Sequence, residues 1–349
     1  MSLTLLSAAE AITRLHEFDT IIDARTEAEF EEDHLPHAVN WPTLDNAQRI
    51  EIGTLYKQVN QFEAKKRGAA MAARNIASHI ERHVIDLPKD WKPLTYCWRG
   101  GKRSGSLSLI LDQIGFRVTL VQGGYKAFRA AMLLDFPAKV APLKLQVVCG
   151  TTGSGKTRLL NALQQAGAQV LDLEALANHR SSVLGAIPGL PQPSQKHFDT
   201  LVWQALSQFD PTRPVFVESE SKKVGNVAIP TVLVEHMRTS PCLNLTLPLP
   251  ERVDLLMEDY DFFVQNPGYF CERLDILTVQ RGKALVTQWK EKVMAGDVKA
   301  VVRQLLLEHY DPVYVQSMER NFTQFPQAPV LSPADHSIAA MEALAKTLI

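Results

Sequence analysis

Leu143-Lys-Leu-Gln-Val-Val-Cys149 runs directly into Gly150-Thr-Thr-Gly-Ser-Gly-Lys-Thr157, and this stretch decides the fold of the second half of the chain. Its first seven residues form an apolar run of strand length, and the next eight match the pattern GxxxxGK[ST] in full. Glycines let such a loop curl so that its backbone N–H groups surround a phosphate at the start of a helix. The order strand, loop, helix therefore predicts a phosphate site on a parallel α/β sheet.

The whole loop is the predicted diphosphate-binding site. Its residues are Gly150, Thr151, Thr152, Gly153, Ser154, Gly155, Lys156 and Thr157. The ammonium group of Lys156 can reach the outer phosphates, and the Thr157 hydroxyl is a candidate Mg²⁺ ligand. Backbone amides recognise phosphate oxygens and not the group attached to them, so the loop alone leaves open whether the ligand is a nucleotide.

Four further side chains are candidates for the same crevice, because ligands of parallel sheets bind beyond the carboxyl ends of the strands. They are Asp172, Arg180, Lys196 and Glu218. Glu218 ends the apolar run 215–218, where a nucleotide hydrolase commonly places a metal-holding Asp. We interpret Glu218 as holding a metal-bound water, acting as a base or capping the next turn. For the other three, a solvated surface position is the alternative.

Strands and helices are predicted to alternate in both halves of the chain, which indicates an α/β fold for each. In the first half, strands are expected at 20–23, 94–97 and 117–121, and helices at 27–32 and 104–114. In the second half, strands are expected at 143–149, 169–173, 215–218 and 242–247, with helices from 156 and over 196–208. Helical patterns follow at 251–264, 281–294, 297–309 and 334–348. The proline-bearing stretch 136–142 is interpreted as a boundary, which predicts domains at 1–138 and 139–250 and a helical region at 251–349.

The loop Tyr96-Cys97-Trp98-Arg99-Gly100-Gly101-Lys102-Arg103-Ser104 predicts a second site. A cysteine that follows a strand, faces a helix N-terminus and lies among cations is favoured as a thiolate nucleophile. We predict Cys97 as catalytic. The predicted anion-binding residues around it are Arg99, Gly100, Gly101, Lys102 and Arg103. A small buried cysteine is the alternative, and it suits Cys149 and Cys242 better because both lie in apolar runs.

Composition narrows the function classes. Of the 349 residues, 46% are hydrophobic and 21% are charged, which is typical of a globular protein, and the formal net charge is −1. Any nucleic acid must therefore be bound by a local basic surface. The four cysteines are far apart and lack metal-ligand spacing, so we expect neither zinc nor a disulfide framework. We also expect no tightly bound cofactor. We find no leader peptide and no apolar run of membrane-spanning length, which predicts a cytoplasmic protein without a membrane segment.

The first half resembles the rhodanese family. Asp23-Ala-Arg25 is followed by Glu29-Phe30, His34-Leu-Pro-His-Ala-Val-Asn40, the Cys97 loop and Gly123-Gly-Tyr125 in the order of that family. The resemblance implies a cysteine that carries sulfur or selenium, with loop amides that cradle an anion. The chain departs from the family pattern CxxGxR at one position, since Lys102 stands in place of the arginine and Arg103 follows it. This departure indicates a loop shaped for a different anion.

The whole chain resembles the tRNA 2-selenouridine synthase family, in which a rhodanese-like domain precedes a P-loop NTPase-like parallel-sheet domain with a helical C-terminal part. The motifs that carry this resemblance are YCWRGGKRS at 96–104, GTTGSGKT at 150–157, Asp172-Leu-Glu174 with His179-Arg180, Gln192-Pro-Ser-Gln-Lys196 and Glu218-Ser-Glu-Ser221. The resemblance implies a transferase that geranylates the sulfur of wobble 2-thiouridine in tRNA and then replaces it with selenium. Geranyl diphosphate and selenophosphate would be the co-substrates, Mg²⁺ a candidate ion, and tRNA and a selenophosphate supplier the partners.

Three points stay open at the level of sequence. Cys97 either carries selenium covalently or assists removal of the geranyl thiol. The C-terminal helices either complete the P-loop domain or bind tRNA, with basic clusters at 65–67, 222–223 and 281–292 as RNA candidates. The alternative function is an ATP-dependent sulfurtransferase or kinase coupled to a rhodanese domain, which nucleotide-dependent turnover without tRNA would indicate.

Overall fold

A computed structural model describes residues 3–349 as two compact units. The first extends to Phe136 and also includes Ser194–Gln204, and the second consists of Pro137–Pro193 and Ala205–Ile349. The expected boundary stretch 136–142 is mostly helical, because Pro137 lies inside a helix that continues to Val140. A proline removes one N–H group but fits helical φ, so this proline does not end the helix.

The first unit is built on a five-stranded parallel sheet, which confirms the α/β prediction. Its strands are β1 Thr4–Leu6, β2 Thr20–Asp23, β3 Ala38–Asn40, β4 Pro93–Tyr96 and β5 Thr119–Val121, in the order β1-β5-β4-β2-β3. Its helices are α1 Ala8–Arg14, α2 Glu27–Glu32, α3 Asn46–Gln58, α4 Gln61–His83, α5 Lys102–Ile114 and α6 Gly124–Val140, with a 3-10 turn at Leu15–Glu17. Hydrophobic patterns in the sequence did not predict β1, β3, α1, α3, α4 and α6. The asparagine cap at Asn60, whose side chain accepts from Phe62 and Glu63, was the available signal for α4.

The second unit has its own five-stranded parallel sheet. Its strands are β6 Lys144–Cys149, β7 Gln169–Leu171, β8 Pro214–Glu218, β11 Cys242–Leu245 and β12 Val330–Leu331, in the order β12-β11-β6-β8-β7. The short strands β9 Lys223–Val224 and β10 Val227–Ala228 form an antiparallel hairpin. The strands β6 and β8 are neighbours, so the ends of the P-loop strand and the Glu218 strand share one edge.

Helices cover this second sheet. They are α7 Lys156–Gln165, α8 Leu173–Leu176, α10 Thr231–Thr239, α11 Leu249–Asp259, α12 Asp261–Gln265, α13 Pro267–Leu274, α14 Thr278–Arg281, α15 Lys283–Met294, α16 Val298–Gln304, α17 Asp311–Asn321 and α18 Ile338–Ala345. A π-helix spans Leu305–Tyr310, and 3-10 turns lie at Asp275–Leu277 and Phe325–Gln327. Met341 of α18 joins the same apolar core as Leu159 and Leu163 of α7. The helical C-terminal part therefore packs within the P-loop unit.

Helix α9, Gln195–Gln208, was predicted as part of the P-loop domain, but its first ten residues belong to the first unit. Asp199 receives a 2.6 Å hydrogen bond from Arg129 of α6, and Trp203 donates to Asp135 at 2.9 Å. The ring of Trp203 also meets Phe128 edge-on. These contacts combine charged and aromatic partners, which periodicity alone does not reveal.

No helix within residues 3–349 combines the length and apolar character needed to cross a bilayer.

A buried ion pair supports the strand that precedes the Cys97 loop. Arg25 donates through Nη2 to Asp23 at 2.6 Å, and both side chains are at most 1% exposed. Arg25 also lies 4.0 Å from the centroid of the Tyr125 ring. Burial opposes the charge of Arg25, but the Asp23 carboxylate outweighs it and raises the pKa of the guanidinium.

We predict that Arg25→Met lowers the free energy of unfolding by about 3–5 kcal/mol, because it leaves the Asp23 carboxylate buried without its partner. Urea unfolding monitored by tryptophan fluorescence measures the change. The matched control is Arg14→Met, whose ion pair with Glu17 is about two-fifths exposed and should cost no more than about 1 kcal/mol. Equal losses for both variants would contradict the assignment.

Candidate functional site

The Cys97 loop connects β4 to α5 and aims two donors at the sulfur. Gly101 N–H lies 3.2 Å from Cys97 Sγ and the Ser104 hydroxyl lies 3.1 Å from it. The side chain is 3% exposed. Since α5 begins at Lys102, its N-terminal dipole adds to these donors. The arrangement places two hydrogen-bond donors and a helix N-terminus at the sulfur of the residue predicted as the nucleophile.

The start of α6 approaches the cysteine loop so closely that a glycine is required there. Gly124 has φ +60, and a Cβ there would overlap the Cys97 carbonyl oxygen. That same oxygen accepts from Tyr125 N–H at 2.8 Å, and the Trp98 carbonyl accepts from Lys126 N–H at 3.1 Å. The start of α6 is therefore fastened directly to the cysteine loop.

The predicted anion-binding cations take different positions. Arg99 and Lys102 are exposed at the loop, whereas Arg103 forms a two-pronged pair with Glu29 at 2.5 and 3.1 Å. Burial alone would raise the pKa of Glu29, but the Arg103 guanidinium holds it below its ordinary value. Arg103 is thus engaged by a carboxylate of α2, and Arg99 and Lys102 are the loop cations not tied to it.

The prediction that Lys196 faces the phosphate crevice is wrong. Lys196 lies in the first unit, where Nζ is 2.6 Å from Glu32 Oε1 and 5.9 Å from the centroid of the Trp98 ring. The error has a physical cause, because α9 follows β7 in sequence but packs on the rhodanese-like unit. Lys196 is therefore a candidate for the cysteine site.

The second unit forms the phosphate-binding loop between β6 and α7. A Cβ on Gly150 would lie 2.5 Å from the Leu245 carbonyl oxygen, so the close approach of β11 requires glycine. Gly150 N–H donates to Tyr314 Oη at 2.8 Å. Lys156 Nζ donates to the Gly150 carbonyl at 2.7 Å and lies 5.3 Å from the centroid of the Tyr314 ring.

Helix α17 is also fixed to this loop. Arg252, which is 7% exposed, donates to the Thr152 carbonyl at 2.8 Å and to Asp311 at 2.6 Å. Sequence reasoning missed Arg252, Asp311 and Tyr314 because they lie about 100 residues or more beyond the loop. The connection places the start of α17 beside the phosphate-binding backbone.

A cavity of about 920 Å³ opens beside the loop. The loop contributes Thr152, Gly153, Gly155, Lys156 and Thr157 to the lining, and nine of the other lining residues are apolar or aromatic and are called the apolar wall here. The apolar and aromatic lining residues are Val183, Leu255, Leu256, Tyr260, Tyr310, Val313, Tyr314, Met318 and Phe322. Arg180 also lines it and lies 4.5 Å from the centroid of the Tyr260 ring, as expected for a residue of this crevice. The cavity joins a phosphate-binding end to an apolar wall.

Buried carboxyl groups gather at the loop. Glu218 is 2% exposed, and its Oε1 accepts from Glu174 N–H at 2.8 Å while Oε2 is buried without a hydrogen-bond partner. Asp172 caps α8 by accepting from Ala175 N–H at 2.8 Å. Glu174 accepts from the Thr157 hydroxyl at 3.2 Å. Of these carboxyls, Glu174 contacts Thr157, the residue predicted to bind Mg²⁺.

Burial, and then the charges of the neighbouring carboxylates, raise the pKa of Glu218. Burial followed by the charge of Glu174 raises the pKa of Glu220 to about 8. Burial likewise raises the pKa of Asp172. A neighbouring cation would oppose these shifts, because it favours the ionised carboxylates. Among residues 3–349, no three His, Cys, Asp or Glu side chains are arranged to hold a metal ion by themselves.

Comparison with known proteins gives two family matches. Residues 143–273 match the family described as tRNA 2-selenouridine synthase AAA domain, and residues 7–131 match the rhodanese-like domain family. The chain is 37% identical to a tRNA 2-selenouridine synthase from Nitrosomonas europaea over 71% of this chain and 66% of that protein, just under two thirds of its length. It is 32% identical to one from a Sulfurovum species over 86% of this chain and 89% of that protein.

We predict that the stability of the second unit falls as the pH rises from about 5 to 9. Because the pKa of Glu220 is raised on folding, the folded state binds the proton more tightly, and this contribution is lost as the pH rises through about 8. Glu220→Gln keeps the site neutral and should flatten the decrease in the thermal midpoint. Glu235→Gln, at an exposed position of α10, is the control. A pH profile of Glu220→Gln that matches the control would contradict the prediction.

Proposed function

Because this chain belongs to the tRNA 2-selenouridine synthase family, we propose that it geranylates the sulfur of wobble 2-thiouridine in tRNA and then replaces that sulfur with selenium. The observation that carries the proposal is the cavity in which a phosphate-binding loop meets an apolar wall. Geranyl diphosphate has the same two parts. An apolar wall provides an isoprenoid chain with burial from water.

In the proposed first step, the thiocarbonyl sulfur forms a bond to C1 of the geranyl group as the C1–O bond breaks. The electron pair leaves on diphosphate, and the nucleobase releases its N3 proton to water. Loop N–H groups and Lys156 stabilise the leaving diphosphate. The backbone recognises phosphate alone, so this use of the loop requires no nucleotide hydrolysis.

Mg²⁺ is a further candidate at this site. The Thr157 hydroxyl and the Glu174 carboxylate, 3.2 Å apart, are oxygen donors of the kind that Mg²⁺ prefers, and diphosphate oxygens would complete the set. When bound, the ion would neutralise charge on the leaving group. The Glu174 side chain would then exchange its hydrogen bond with Thr157 for the ion.

In the proposed second step, the selenium of selenophosphate adds to C2 of the nucleobase and geranyl thiol leaves. Water then attacks phosphorus, the P–Se bond breaks, and inorganic phosphate is released. The alkylated sulfur is the better leaving group, which explains why geranyl transfer precedes selenium transfer. The Cys97 loop supports this step with an exposed Arg99 and Lys102, suited to an anionic donor, and a hydrogen-bonded sulfur. An enzyme that produces selenophosphate is the implied supplier.

We expect Lys156→Ala to reduce geranyl transfer to 2-thiouridine tRNA by about 10²–10³-fold, because one charged donor to the leaving group is lost. Nucleoside mass spectrometry after incubation with geranyl diphosphate measures the product. Lys346→Ala removes an exposed lysine of the same unit and serves as the control. An unchanged rate in Lys156→Ala would contradict the diphosphate assignment.

Cys97→Ala should abolish selenium incorporation and leave geranyl transfer intact. The same mass analysis, performed before and after selenophosphate is added, separates the two steps. Cys97→Ser retains the size and polarity of the residue without its thiol, and we expect it to behave as Cys97→Ala does. Selenation that persists in both variants would remove Cys97 from the proposed mechanism.

A further inference from the structure

A second cavity, of about 1090 Å³, adjoins the phosphate-loop cavity within the second unit. It lies between the loop 178–193, the β9–β10 hairpin and α13. Five residues line both cavities: Ser181, Ser182, Val183, Ser221 and Lys223. The two cavities therefore lie on either side of a shared wall.

The two cavities differ in their carboxylates. Glu174, Glu220 and Asp259 line the first, together with six Lys or Arg side chains. Among the lining residues of the second, all of which lie in the described part of the chain, none is Asp or Glu, whereas Lys223 and Arg273 are cationic. The second cavity thus favours an anion over a cation.

Two buried nitrogens in the second cavity have no hydrogen-bond partner. They are Arg273 Nε and His179 Nδ1, and the His179 side chain is only 8% exposed. Arg273 makes one long contact, from Nη2 to the Val183 carbonyl at 3.4 Å. A buried donor without a partner costs stability, and an anionic ligand oxygen would satisfy the guanidinium group.

The wall between the cavities is a strained turn. Asn178 and Ser181 adopt positive φ values of 51° and 47°, which non-glycine residues seldom adopt. The turn is closed by Arg180 N–H, which donates to the Gly185 carbonyl at 2.9 Å. As a result, His179 lines the second cavity and Arg180 lines the first. Strain of this kind persists where the surrounding structure holds it and is concentrated at functional sites.

Gln192 fixes the other rim. Its Nε2 donates to the carbonyls of Ala177 and Val224 at 3.1 and 3.0 Å, and its Oε1 accepts from Asn226 N–H at 2.8 Å. These bonds join the hairpin that carries Lys223 to the residue before the strained turn. The hairpin that carries Lys223 is therefore fixed to the wall of the second cavity.

We propose that this second cavity binds a backbone phosphate of the single-stranded RNA next to the nucleotide whose base reacts in the first cavity. RNA is the occupant that the geometry favours, because each base is followed along the chain by a phosphate and the two cavities adjoin each other. Cations that contact the backbone set the register of the strand without reading its sequence. The inference rests on the proposed function, since it requires an RNA substrate at the phosphate-loop cavity.

The test measures binding of a stem-loop RNA that carries 2-thiouridine at the wobble position, over a series of salt concentrations. Arg273→Gln should weaken binding about tenfold and reduce the magnitude of the slope of log K against log salt by about 0.7, as expected for one lost phosphate contact. Lys223→Gln, at an exposed position, should act in the same direction and tests the cavity without altering a buried side chain. Arg320→Gln, an exposed arginine outside both cavities, is the charge-matched control.

RNA affinity and salt slope equal to those of the control in both variants would overturn the inference. A loss of geranyl diphosphate binding with unchanged RNA binding would also overturn it, because the cavity would then serve free diphosphate. Geranyl transfer by the wild-type protein is measured separately. If transfer occurs while the variants bind RNA normally, only this inference fails, whereas a wild-type protein without transfer activity contradicts the proposed function.

Discussion

One constraint governs both units. At each site, backbone N–H groups must converge at the carboxyl end of a parallel strand. A chain meets it only when the strand turns at once into the N-terminus of a helix. The turn after β4 serves Cys97, and the turn after β6 forms the phosphate loop. At Gly124 and Gly150, neighbouring carbonyls come too close for any side chain. The sheets and helices keep these two turns in shape.

The carboxyl cluster around Thr157 follows from the same geometry. Strands β7 and β8 end at the edge where β6 ends, so the acidic residues that follow them converge on the phosphate loop. Burial makes their charge unfavourable, which is why the pKa of Glu218 and Glu220 is raised. Protons or a cation must balance the charge, and a diphosphate that arrives with a divalent ion would change that balance. The site therefore couples ligand binding to protonation.

Local signals were sufficient for the parts of the protein that depend on neighbouring residues. The phosphate loop, the Cys97 loop and the strands that precede them could be predicted because strand, glycine and helix lie next to one another in sequence. Helix α2 has its predicted bounds because Thr26 and Glu29 form a capping box, which is itself a local pattern. The expected activity was inferred from the family resemblance, because residue spacing alone does not identify a reaction.

Contacts between distant segments could not be predicted in this way. Lys196 belongs to the first unit because Asp199 and Trp203 of its helix find partners on α6, some 70 residues earlier. Arg103 is paired with Glu29 across 74 residues, so a motif comparison that treats it as a free cation is misleading. The apolar wall comes largely from α11 and α17, whose sequences show helices but not what those helices cover. Such choices depend on side-chain complementarity in three dimensions.

The strained turn 178–181 separates the two cavities of the second unit. It places Arg180 in the cavity that has carboxylates and an apolar wall, and His179 in the cavity that has cations and no carboxylate. Under the proposed function, a diphosphate in the first cavity would have the loop N–H groups and Lys156 as donors, whereas a phosphodiester in the second would have Arg273. Lys223 lines both cavities, but these principal donors differ, so the two anions would not compete for them. An isoprenoid diphosphate and an RNA strand would then lie on either side of one wall of a few residues, which is the arrangement that the proposed transfer between them requires.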